Sequence, residues 1–271
     1  MDAAVHRLAQ AEGGEPVSSI PNAEPACPAG GHKLRGSPNE ARSVPVAEGY
    51  ERWAPTYDRS PNPLLAREER YLLPLLAHLR GKHILDLACG TGRWLQKLSD
   101  QGAVAVGVDC STAMLRVAGE KDAIAGRLAQ ADCLRLPFRA SVFDLVICSF
   151  ALSHIGDLQA MVRELGRVTK SGADILVSDL HPEAYARGWR TGFRDGPSAV
   201  EIEMLPRTAE EIIRAFYSGG FECLTHLPLC LGEPEKPIFA QAEKADIFAE
   251  ACQVPAVLVC HFRGRGAPIE S

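Results

Sequence analysis

The sequence predicts an α/β fold, a doubly wound and mostly parallel sheet of seven strands with helices on both faces. Three observations carry that expectation. From His83 onward, short apolar segments alternate with segments of helical period, the rhythm of a parallel sheet covered on both sides. The segment SVFDLVICSF is apolar almost throughout, as a strand buried on both faces should be. The first strand also runs into a glycine turn, Cys89-Gly90-Thr91-Gly92, at the strand end where such sheets hold ligands.

Taken in order, residues 1–46 are rich in Gly, Pro, Ala, Ser and Glu without apolar periodicity and read as a disordered tail. Residues 47–268 read as one domain. The segment EGYERWAPTYDR carries Tyr50, Trp53 and Tyr57 within eight residues, and LLAREERYLLPLLAHL then places Leu64, Leu65, Leu72, Leu75, Leu76 and Leu79 on one helical stripe. HILDLA is the first strand, and TGRWLQKLSDQG a helix stopped at Gly102. AVAVGVD is the second strand, followed by STAMLRVAGEK with a Ser/Thr cap. RLAQAD is a weak third strand and SVFDLVICSF the fourth; DLQAMVRELGRVTK is a helix and ADILVSDL the fifth strand. Residues 181–206 break the rhythm as an irregular or weakly stranded insertion. TAEEIIRAFYSGG is a Thr-capped helix, and FECLTHLPLC and VPAVLVCHFRG are the last strands, with a helix expected between them around AQAEKADIFAEA.

Composition narrows the function. A net charge of −5 and a pI near 5.9 offer no basic surface for a nucleic-acid partner. No apolar run reaches the roughly 20 residues of a membrane span, and the N-terminus lacks the apolar stretch of a secretory signal. Nine scattered cysteines without a C-x-x-C pair suggest reduced thiols in a cytoplasmic protein and no metal site. Cys89, Cys110, Cys133 and Cys148 fall at strand ends, where packing around a ligand explains them more simply than metal ligation does.

Two readings of the turn compete. A dinucleotide fingerprint needs a third glycine, and Trp94 and Leu95 stand there instead, which weakens an NAD(P)-dependent oxidoreductase. The other reading uses more of the chain. DLACGTG, the acid of VGVD, STAML, ADCLRLPF, FDLVICSFALSHIGD and ELGRVTKSGADILVSD follow one another in the order found in class I S-adenosylmethionine (SAM)-dependent methyltransferases. The chain resembles that family over residues 48–180, nearest to the small-molecule group that includes quinone-biosynthesis enzymes. Lys170-Ser171-Gly172-Ala173 departs from the family's proline and paired glycines.

The resemblance implies a Rossmann-like domain with an antiparallel last strand, and SAM as cofactor. Asp86 would hold the methionine ammonium; Ala88, Cys89, Gly90 and Gly92 would line the turn; and Asp109 would bind the ribose hydroxyls. Met114, beside Cys110, would flank the adenine, Asp132 with Cys133 would cap its amino group, and Ser149 would close the fourth strand end. Residues 47–80 would form lid helices, with Tyr57 over the cofactor. Residues 181–206, with Trp189, Arg190, Phe193 and Arg194, would cover a small-molecule acceptor. His154 and His181, just past the fourth and fifth strands, are the candidate general bases. A non-catalytic SAM-binding module remains the alternative.

Overall fold

The computed structural model describes residues 42–265. It opens with Arg42–Val44 (β1) and Val46–Trp53 (α1), a 3-10 turn at Ala54–Arg59, and Pro63–Leu75 (α2). His83–Leu87 (β2), Arg93–Asp100 (α3), Val104–Asp109 (β3), Thr112–Gly119 (α4), Leu128–Gln130 (β4) and Phe143–Ser149 (β5) follow. Leu158–Val168 (α5), Thr169–Leu180 (β6), Pro182–Ala186 (α6), Gly192–Asp195 (β7), Ser198–Ile202 (β8) and Ala209–Ser218 (α7) come next. The described chain ends with Phe221–Cys230 (β9), Lys236–Gln241 (α8), Phe248–Ala251 (α9) and Pro255–Gly264 (β10).

The seven-stranded sheet has the order β4-β3-β2-β5-β6-β10-β9. Neighbours are parallel from β4 to β6, and β10 runs antiparallel to both β6 and β9. The chain moves outward from β2 to β4, then returns to the other side of β2 with β5, so strand order reverses between β2 and β5. This is the crevice in which doubly wound sheets bind ligands.

Strand alternation divides the core into two layers. Leu85 and Leu87 of β2, Val146 and Cys148 of β5, and Leu258, Cys260 and Phe262 of β10 face one layer with Leu165 of α5 and Phe216 of α7. Ile84, Leu145, Ile147, Val257 and Val259 face the other, with Trp94 and Leu95 of α3. Each such buried side chain contributes about 1.5–3 kcal/mol relative to exposure. Local caps agree with the sequence: Ser111 accepts from Met114 N at 3.3 Å, and Thr208 and Glu211 form a capping box.

The structure differs from the sequence reading in three places. Strand β1 lies inside the expected tail, whose residues 1–41 fall outside the described part. Its three residues are too few to show a period, and its partner is β8, in parallel register Arg42↔Val200 to Val44↔Ile202. The insertion at 181–206 is ordered as α6 and a β7–β8 hairpin turning at Gly196. A second sheet, β1-β8-β7, therefore joins the N-terminal segment to the insertion.

The helix expected over 240–251 is broken. Residues nine apart lie on opposite sides of a continuous helix, yet Phe239 and Phe248 pack edge to face at 5.3 Å. The chain achieves this by reversing at Glu243, which adopts φ 56°, and closing Lys244 N onto Phe239 O at 2.8 Å.

Candidate functional site

The glycine turn sits at the C-terminal end of β2, beside the point where strand order reverses. Ala88, Gly90 and Gly92 adopt φ 54°, 54° and 79°. Ala88 carries the strain of a left-handed non-glycine residue, which costs of order 1 kcal/mol or more. A Cβ on Gly92 would come within 2.4 Å of Ile124 Cδ1, whereas one on Gly90 would meet nothing within 4 Å. Gly92 is thus favoured by its left-handed backbone, with the Ile124 side chain close against it, and Gly90 faces open space.

Asp86, 2% exposed, accepts from Leu95 N at 2.8 Å, so it also satisfies an N–H in the first turn of α3. Burial pushes its pKa up to about 7. The carboxyl group lines a cavity together with Tyr57, Ala88, Gly90, Arg93 and Ser149. Asp109 ends β3 and ties the turn to the next strand: Oδ2 accepts from Gly90 N and Oδ1 from Ser111 N, each at 2.8 Å. It is not the cap of α4, a role taken by Ser111. Burial raises its pKa too. Met114 is buried with Ala113 under Tyr50, Ala54 and Tyr57.

Asp132 is exposed and accepts from Leu134 N at 2.9 Å, the geometry of a surface Asx turn. Cys89 is buried and lines the cavity; Cys133 is half-buried, and Cys110 is exposed. Cys148, one of the thiols expected at the mouth, packs in the core instead. Burial raises the pKa of all four thiols, and no cluster of three or more metal-ligating groups occurs among the described residues.

The lid segment is held by contacts that sequence reasoning missed. Glu68 is fully buried and binds Arg93, Ser178 Oγ and Trp94 Nε1, the last at 3.3 Å. Arg93 Nη2 also reaches Ser149 Oγ at 3.0 Å. One signal was available: Glu68 falls midway between Leu64 and Leu72 on the apolar stripe of α2, a charge where a leucine would be expected. After the lid aromatics, Asp58 accepts from Thr91 Oγ1 at 2.6 Å and pairs with Lys121 at 2.8 Å, fastening the lid to the glycine turn itself.

Trp53 stacks between Tyr50 and Phe193, with centroids 6.1 and 5.3 Å away. Lid and insertion therefore share one aromatic column. His154 contacts Tyr50 Oη at 3.1 Å and the Glu203 carbonyl oxygen at 3.0 Å. His181 sits at the start of α6, its Nδ1 accepting from Glu183 N at 3.2 Å. The structure thus gathers Tyr57, Asp86, Ala88, Cys89, Gly90 and Ser149 around one cavity. Gly92, Asp109, Cys110, Met114, Asp132, Cys133, His154 and His181 lie outside the residues that line it.

Comparison with known proteins places this architecture. Residues 84–172 match the model of a family described as a methyltransferase domain. The chain is 38% identical to a demethylmenaquinone methyltransferase of Corynebacterium urealyticum over 100 residues, 37% of this chain and 42% of that one. To a demethylmenaquinone methyltransferase of Mycobacterium tuberculosis it is 35% identical over 173 residues, 62% of this chain and 70% of the relative. The chain belongs to the class I SAM-dependent methyltransferases. Some matches within this family are shorter, covering less than half of the relative's length. A SAM-dependent methyltransferase structure from Mesorhizobium loti superposes with a TM-score of 0.58 at 23% identity, over 74% of this chain and 100% of that one, which shows the shared fold. The third-glycine position of a dinucleotide turn is filled here by the fully buried Leu95.

Proposed function

We propose that this chain transfers a methyl group from SAM to a small, flat acceptor of the quinol or phenol type. The observation that carries the reading is the buried Asp86 carboxylate beside the open space over Gly90, beneath a lid of aromatic residues. That geometry fits the cofactor's amino-acid end. Asp86 would hold the ammonium, and Arg93, lining the same cavity, offers a cation for the carboxylate. Asp109 would take the ribose hydroxyls with its remaining lone pairs. Met114 and Tyr57 would lie against the adenine side, with Cys110, Asp132 and Cys133 at its rim. SAM supplies a methyl group on a sulfonium, a donor that needs little proton chemistry on its own side. The protein's task is alignment and preparation of the acceptor.

The relatives' names point to a demethylated menaquinol, and the region beyond β6 supports an acceptor of that character. Trp189, Tyr185, Leu180, Leu64 and Met204 pack together there. Among the described residues, the indole N–H groups of Trp53 and Trp189 are buried without an acceptor; that of Trp189, within this cluster, offers a donor to a quinoid or phenolic oxygen. No helix among the described residues is long and apolar enough to cross a membrane. The free thiols of the described cysteines support a cytoplasmic setting.

The deciding experiment is calorimetric titration with SAM and with NAD, followed by transfer of labelled methyl to a panel of quinols, catechols and phenols. Transfer to a panel member supports the reading. SAM binding without transfer to any acceptor favours a non-catalytic SAM-binding module, and NAD binding alone would revive the oxidoreductase.

A further inference from the structure

Tyr50 and His154 lie 104 residues apart in the chain, yet their polar atoms meet at 3.1 Å. On the far side of the ring, Nδ1 faces the Glu203 carbonyl oxygen at 3.0 Å. A carbonyl only accepts, so Nδ1 carries the proton and Nε2 turns its lone pair to the phenol O–H. Burial lowers the pKa of His154, which keeps the ring neutral and able to take a proton. The buried Asp179 carboxylate, bound by Ser153 N at 2.6 Å, favours the cation once it forms. Tyr50 packs against Tyr57, whose ring lines the cavity over Gly90. Tyr50 thus joins the cavity-lining Tyr57 on one side to His154 on the other. His181 has no such partner set, since its Nδ1 caps α6.

Resting on the methyl-transfer reading above, we infer that Tyr50 and His154 form a proton relay that deprotonates the acceptor. The acceptor O–H bond breaks and its proton passes to Tyr50 Oη. At the same time the Tyr50 O–H bond breaks and that proton binds His154 Nε2. The electron pair stays on the acceptor, which becomes the nucleophile, and the imidazolium later returns its proton to water. Tyr50 is neutral before and after. The titratable groups facing the pair are Tyr57 from the lid, Asp109 and Cys110 from the end of β3, and Asp179 from β6.

Two kinds of measurement test the relay. Nitrogen-15 NMR of the full chain, with His154 assigned through His154→Asn, should show a neutral ring protonated at Nδ1, and Tyr50→Phe should shift the Nε2 resonance. In kinetics, His154→Asn retains a donor toward Glu203 and should lower kcat by about 10²–10⁴-fold while removing the acid limb of its pH profile. Tyr50→Phe should lower kcat by about tenfold or more, with calorimetric SAM affinity unchanged. A proton on Nε2, wild-type kcat in either variant, or a change confined to KM overturns the relay. An active wild type with variants that keep its full kcat overturns the relay alone. A wild type inert toward the whole panel overturns the methyl-transfer reading, and the relay falls with it.

Discussion

The two halves of the site are built in opposite ways. The floor, β2 to β5 with the glycine turn, is made by neighbouring pieces of chain: Gly90 N finds Asp109 only 19 residues away. The cover is made by distant ones: β1 pairs with β8, and Trp53 stacks on Phe193. The floor is rigid because its strands share a sheet core on both faces. The cover rests on a three-stranded sheet, one aromatic column and a few polar ties, as a part that must open to admit ligands would. That difference predicts stability divided by role, with the cover opening at a lower free energy than the floor.

The strongest test of that contrast cuts the tie between the halves. Glu68→Ala removes the buried carboxylate that pairs with Arg93, leaving it Ser149 and the longer contact to Glu69, and should cost about 3 kcal/mol in denaturant unfolding. Glu68→Gln, which keeps the hydrogen-bonding shape, should cost less. Equal, small losses in both would show that the cover is not anchored through this residue.

Next in size is the floor's acid. Asp86→Asn keeps an oxygen for Leu95 N but removes the charge, and should weaken SAM binding by about 1.5–3 kcal/mol, on the order of ten- to a hundredfold. The pH dependence has a definite sign. With a pKa of about 7 in the free protein, Asp86 is mostly neutral at pH 6 and cannot pair with an ammonium. Wild-type affinity should therefore rise about tenfold from pH 6 to 8 with proton release on binding, and the variant's should stay flat. A flat wild-type profile would remove Asp86 from the ammonium site.

Asp109→Ala strips an acceptor from both Gly90 N and Ser111 N and removes the acceptor proposed for the ribose. Calorimetry should show SAM affinity reduced by about 1–3 kcal/mol. Binding as tight as wild type would leave Asp109 a purely structural tie of the turn.

The smallest effect belongs to the cover. Trp53→Ala should speed amide hydrogen exchange in residues 42–59 and 192–202, by about 1–2 kcal/mol of local opening. The global unfolding midpoint should move much less. Exchange that rises uniformly across the sheet would mean that cover and floor unfold as one unit.

Much of the floor was legible because its determinants are local. A glycine at a positive φ, an acid at a strand end and a Ser cap each act within a few residues, so spacing alone reveals them. Asp132 shows the limit of that legibility: its sequence context fits a surface turn as well as a ligand contact, and the structure shows the exposed Asx turn. The break at Glu243 was hidden because apolar period cannot distinguish one helix from two that fold back to join Phe239 and Phe248.

By itself the sequence determined the alternating sheet, the two-layer core and the turn at Gly90, since periodicity and backbone conformation are properties of short segments. Tertiary structure alone decided that Glu68 meets Arg93, that the N-terminal segment and the insertion form a single cover, and that Tyr50 turns its hydroxyl to His154. Those pairings join residues 25 to more than 100 positions apart. A buried charge or an oriented ring nitrogen acquires its meaning from the one partner the fold brings within about 3 Å, and nothing along the chain specifies that partner.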